Sequence, residues 1–122
     1  MLPTIDKFYE RLLYAKNRYG IRLRWSTIAE AVGISKTNFS RYKNENYYPS
    51  AVTLLKIARF LGVDAAWLAG DEIKLPDDKM DLLTLMYEAL GTDDRETVFS
   101  FISECFYKDD ENGLKPSEGG KV

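Results

Sequence analysis

Apolar residues return at intervals of three and four through most of this chain, the spacing that lays a stripe along one face of a helix. Ile5, Phe8, Leu12, Ala15 and Tyr19 make the first stripe, with Thr4 placed to cap it and Gly20 to stop it. After Ile21-Arg22-Leu23-Arg24-Trp25 a short second helix carries Ile28, Ala29 and Val32 and closes on Gly33, where a positive φ costs little. Ile34 returns to the core. Ser35 caps a third helix running through Lys43, whose inner face holds Phe39 and Tyr42. Asn44 to Pro49 reads as a loop, and Ser50 then caps a helix holding Leu54, Leu55, Ile57, Ala58 and Leu61 before Gly62. Asp64 caps a last short helix, Ala65 to Leu68, ending at Gly70.

The pattern changes at residue 71. Asp71 to Asp77 is charged, contains Pro76 and has no helical period, so 71–77 is expected to be a linker. Over 78–107 two amphipathic helices are expected. One carries Met80, Leu83, Met86, Tyr87 and Leu90 up to Gly91, and the other opens on an Asp93/Glu96 capping box and carries Val98, Phe101, Ile102, Cys105 and Phe106. Leu82, Leu85 and Phe99 widen the apolar surface. A helical hairpin of that size has too little interior to offset its chain entropy, so it calls for a further surface, internal or intermolecular. Residues 108–122, polar and glycine-rich, are expected to be a disordered tail. The expected fold class is therefore all-α: five helices over 1–70, then an oligomerisation hairpin.

Composition narrows the function. At 122 residues, 45% hydrophobic and 30% charged, the chain fits one globular domain with an appendage. With no apolar run near the roughly 20 residues a bilayer requires, and no basic stretch leading an apolar block, a cytoplasmic protein without a membrane partner is expected. The single cysteine, Cys105, forms no intrachain disulfide and reads as a small buried hydrophobe rather than a reactive thiol. With no histidine and no Gly-rich phosphate loop, neither an enzyme nor a metal or cofactor site is expected. The overall charge of −2 hides a division. Residues 1–70 hold eleven Lys and Arg against five acids, whereas 71–122 hold six against fourteen. A basic segment attracts phosphate and an acidic one is repelled by it, so the N-terminal part is expected to face nucleic acid and the remainder to face away.

The stretch from Ile28 to Ser40 joins these threads. Ala29 is small where two helices cross, Gly33 takes the turn, Ile34 plugs the angle and Ser35 caps the next helix, which sets two helices at a steep angle. The second can then enter a major groove about 12 Å wide. This stretch, with Pro49-Ser50, Thr53 to Ala58, Leu61-Gly62-Val63 and Trp67-Leu68-Ala69-Gly70, resembles the lambda-repressor and Cro type of helix-turn-helix family, in its phage and prophage repressor branch. The likeness covers roughly residues 5 to 70.

The resemblance implies a set of contacts. Lys36, Thr37, Asn38, Ser40 and Arg41 match positions that reach base edges: Lys36 and Arg41 suit guanine, Asn38 adenine, and the Thr37 methyl a thymine methyl. Lys43 and Asn44 match phosphate contacts. Tyr47 and Tyr48 either add hydroxyls to the backbone or pack the loop. One departure stands out: Trp25 occupies the position of the family's usual glutamine, so packing is expected there, with Arg22, Arg24, Ser26 and Thr27 gripping phosphate instead. A double-stranded operator, a homodimer or higher homo-oligomer built on Met80, Leu83, Met86, Tyr87, Leu90, Val98, Phe101, Ile102, Cys105 and Phe106, and repressor activity follow as expectations. The residues after Gly70 are too few for the self-cleaving peptidase domain of large phage repressors, which points to control by a separate antirepressor protein or a ligand. The alternative is an antitoxin-like or adaptor module whose hairpin binds another protein.

Overall fold

The computed structural model describes residues 1–107, and the tail expected over 108–122 lies outside them. All regular structure among the described residues is helical: α1 (Phe8–Asn17), a 3-10 turn (Gly20–Arg22), α2 (Trp25–Val32), α3 (Thr37–Asn44), α4 (Ala51–Leu61), α5 (Ala65–Ala69), α6 (Lys79–Ala89) and α7 (Thr92–Tyr107). The chain divides into two compact units, Met1–Ala89 and a second that starts at Leu90 and contains α7.

In the first unit α4 is the central element, touching α2, α5 and α6, while α1 touches α3 and α5. Leu54, Ile57 and Leu61 of α4 are fully buried with Phe8 and Leu12 of α1, Ile28 of α2 and Leu68 of α5. Each such side chain contributes about 1.5–3 kcal/mol on leaving water. The local signals for α4 and α5 operate as the sequence implies: Ser50 Oγ accepts from Thr53 N–H at 3.2 Å and Asp64 Oδ1 from Ala66 N–H at 3.4 Å.

The first helix departs from its expected start. Thr4 does not cap it; α1 begins at Phe8, whose N–H donates to Glu72 Oε2 at 3.0 Å. That carboxylate comes from the segment expected to be a linker, and it also pairs with Arg11. Arg11 is buried, and its guanidinium further donates to the carbonyls of Ile5 (2.9 Å), Leu68 (3.0 Å) and Ala69 (3.2 Å). Gly70 makes this possible. It holds φ 58° and ψ −142°, and a Cβ there would overlap the guanidinium. Ile73, three residues on, is buried in the same core.

Asp78 Oδ2 caps α6, accepting from Met80 N–H at 3.0 Å and Asp81 N–H at 3.1 Å. Leu82, Leu85 and Ala89 on this helix are half-buried, whereas Met80, Leu83, Met86 and Tyr87 are exposed. The helix therefore has two apolar faces, and the stripe singled out in the sequence is the outer one. In the second unit α7 starts one residue before Asp93, so Asp93 and Asp94 lie within its first turn and the capping box is not formed. The acids still favour the positive end of the helix dipole. None of the α7 residues is buried; Phe101 is 66% and Phe106 77% exposed, and Cys105, expected to be buried, is exposed with them. Among the described residues no helix is long and apolar enough to cross a membrane.

Candidate nucleic-acid interface

The join between α2 and α3 is made by hydrogen bonding at a left-handed residue. Gly33 (φ 76°) and Ile34 both donate their N–H groups to the Ala29 carbonyl, which ends α2 and turns the chain sharply. Ser35 then bridges the entry to α3: its hydroxyl accepts from Thr37 N–H at 3.3 Å and lies 2.9 Å from Thr37 Oγ1. Asn44, placed in the following loop by the sequence pattern, joins Lys43 in the last turn of α3.

Aromatic rings fasten the inner face of α3. Phe39 packs on Trp25 with centroids 4.7 Å apart, and Tyr42 meets both Phe8 and Phe39 edge-on at 5.6 Å. The opposite face is solvent-exposed and presents Lys36, Thr37, Ser40, Arg41, Lys43 and Asn44, with Asn38 half-buried. One helix is thus apolar and anchored on one side, hydrogen-bonding and cationic on the other.

Beside it lies an open groove of about 630 Å³. Trp25 and Phe39 line it, and Lys16, Arg24, Lys36 and Lys43 bring four cations to it with the hydroxyls of Ser26, Thr37 and Ser40. No carboxylate is among the described residues that line it. Trp25 stacks on Tyr9 at 5.9 Å, Lys16 Nζ sits 4.9 Å above the Trp25 ring, and Lys43 Nζ lies 5.9 Å from the Tyr9 ring. Cations held over aromatic faces keep their charge while losing freedom, and a concave cluster of one sign concentrates its field. Such a groove suits a phosphate chain. Tyr9 has its pKa raised by burial and by Glu10, and Tyr42 is pushed up to about 12, chiefly by burial. Both phenols stay neutral near pH 7 and do not repel an anion.

Of the residues proposed from the sequence, the groove gathers Arg24, Ser26, Lys36, Thr37, Ser40 and Lys43. Arg22 is exposed on the 3-10 turn and Thr27 on α2, both outside the groove lining. Asn38, Arg41, Asn44, Tyr47 and Tyr48 do not line it either. Tyr47 stacks on Tyr42 (5.7 Å, 15°) and Tyr48 packs edge-on against Phe8 at 6.1 Å, each keeping 37% exposure. Trp25 is a packing residue, as its replacement of a polar side chain implies. Lys16 and Tyr9 escaped the sequence reading. They are seven residues apart, on one side of α1 and next in phase to the Phe8/Ala15 stripe, so a wider view of that helix would have found them.

The comparisons with known proteins agree with this geometry. A family model described as a helix-turn-helix domain matches residues 9–70. The chain is 29% identical over 77 residues to the cryptic phage CTXphi transcriptional repressor RstR of Vibrio cholerae, a match that covers 63% of this chain and 69% of that protein. No solved structure gives a significant match. With half of its length matched by that model, the chain belongs to the helix-turn-helix domain family.

Proposed function

We propose that this DNA-binding transcriptional regulator is a repressor of the phage or prophage type, gripping a palindromic operator as a homodimer. The observation that carries the reading is the two-sidedness of α3, with buried Phe39 and Tyr42 behind and exposed Lys36, Thr37, Ser40, Arg41 and Lys43 in front, next to the basic groove. Lys36, Thr37, Ser40 and Arg41, with Asn38, read base edges in the major groove. Phosphates are held by Arg24, Ser26, Lys43 and the missed Lys16 along the groove, and by Arg22, Thr27 and Asn44 beside it. Similarity to a protein named as a transcriptional repressor favours repression over activation.

One helix covers only a few base pairs, and a two-fold dimer presents a second about 34 Å away. Self-association draws on the exposed apolar side chains of α6 (Met80, Leu83, Met86, Tyr87) and, in the second unit, on those of α7 (Phe101, Ile102, Cys105, Phe106) with the half-buried Leu90 and Val98. Sedimentation at operator-binding concentrations should give a dimer, and a monomer would remove this part of the proposal. Release from DNA falls to a separate antirepressor protein or a ligand. Recovery of a self-cleaved fragment after DNA damage would overturn that.

Footprinting upstream of the protein's own gene tests the whole. Arg41→Ala should cost about 1–3 kcal/mol and relax preference at one base, whereas Lys43→Ala should weaken all sequences alike and flatten the salt dependence. Equal behaviour of the two variants would contradict the division between base and phosphate contacts.

A further inference from the structure

Arg41 is the one exposed cation of α3 outside the groove, and it is not loose. Its guanidinium carbon lies 3.8 Å from the centre of the Tyr47 ring, and its Nε donates to Glu45 Oε1 at 3.2 Å. Tyr47 is itself stacked on Tyr42, which is buried against Phe8 and Phe39. A continuous run of rings therefore leads from the core to a side chain that is 46% exposed.

A guanidinium offers five donors in a fixed plane. Tyr47 covers one face and Glu45 occupies the Nε, while both Nη groups have no protein acceptor among the described residues. Two adjacent Nη donors match the O6 and N7 acceptors of a guanine. An untethered arginine at this place would swing to the nearest phosphate, which strengthens binding to every sequence and distinguishes none. A carboxylate on Nε and a ring underneath oppose that escape. They also remove in advance part of the side-chain freedom that binding would otherwise have to remove.

We propose that Tyr47 and Glu45 are positioning residues that hold Arg41 poised to read one guanine, Tyr47 acting through its ring and not through a hydroxyl on phosphate. The inference rests on the reading of Arg41 as a base contact. It assigns specificity to two residues that touch no base, and it takes Tyr47 out of the set of phosphate contacts.

The test uses the full chain and a duplex site selected from a random-sequence pool, titrated by fluorescence anisotropy against that site and each single-base-pair variant of it. Arg41→Ala should abolish preference at one base pair. Tyr47→Leu should lower discrimination at that same base pair by roughly three- to tenfold, the scale expected for freeing one long side chain. Tyr47→Phe should behave like the parent, and adding Tyr47→Leu to Arg41→Ala should change nothing further. Glu45→Ala, which alters no core contact, should blunt the same base pair while strengthening binding to all duplexes, because an anion near phosphate is removed. Equal weakening on every duplex by both Tyr47→Leu and Tyr47→Phe would overturn the proposal in favour of a hydroxyl on phosphate. Unchanged discrimination in Tyr47→Leu and Glu45→Ala, with Arg41→Ala still relaxing one base pair, would overturn the clamp and leave the base contact standing. If Arg41→Ala relaxes no base pair, the base contact and the clamp fall together.

Discussion

Arg11 and Arg41 are the same side chain in two settings. Arg11 sits on the inner face of α1, 3% exposed, with Glu72 and three carbonyls on its donors. Arg41 sits on the outer face of α3 with one donor engaged and one face stacked. A buried charge is tolerated when it is paired and hydrogen-bonded, whereas the charge proposed to read a base must be held and still left incomplete. The degree of satisfaction separates an arginine closed within the fold from one with donors left over.

That contrast can be broken experimentally, most strongly at its buried end. Arg11→Ala leaves the Glu72 carboxylate without its cation and empties a core position, and should lower unfolding free energy by about 3–5 kcal/mol, read by urea denaturation. A loss below about 1 kcal/mol would mean that the pair contributes no more than an exposed one. Gly70→Ala strikes the same site from the backbone. The strain of that conformation costs about 1–3 kcal/mol, and the overlap with the guanidinium adds to it, so thermal unfolding should move down by several degrees. Arg41→Ala should show the reverse profile: a stability change within about 0.5 kcal/mol beside the loss of operator preference. If it unfolds the protein as readily as Arg11→Ala does, the two arginines do not differ in kind.

The smallest effect concerns pH. Tyr42 has a folded pKa of about 12, raised by burial and then by Tyr47, with Arg41 pulling the other way, against an ordinary value near 10. The unfolded chain therefore gives up this proton first on a rising pH scale. The contribution is complete below pH 10 and is lost between 10 and about 12. Tyr42→Phe should flatten the fall in stability across that window, which denaturation at pH 9 and pH 11.5 would detect.

What the sequence discloses divides along the same line. Caps and stops are local chemistry, and Ser50, Asp64, Gly33 and Gly62 mark helix ends within one or two residues of where they stand. The inner and outer faces of α3 follow from periodicity alone. The Arg11–Glu72 pair does not, because it joins residues 61 apart and no spacing rule reaches that far. Its one trace was a charge in phase with Phe8, Leu12 and Ala15, and a charged residue on a core stripe implies a buried partner. The same long-range contact marks the displaced start of α1, where Glu72 and not Thr4 accepts from the Phe8 N–H. For α6 the pattern revealed one apolar stripe and concealed the other, since Leu82 and Leu85 took on meaning only with α4 beside them. The clamp on Arg41 lay hidden in a loop, where tyrosines at 47 and 48 carry no period.

Glu72 has a consequence for protein engineering. Reading heads of this family invite transplantation, and the matched segment, residues 9–70, looks like the natural piece to cut. A graft ending there would discard the carboxylate that neutralises Arg11 and caps α1, along with the buried Ile73. The head would arrive at its new host carrying an unmatched interior charge. A chimera that is to keep its grip on DNA should be spliced after Leu75, so that the strap travels with the helix it secures.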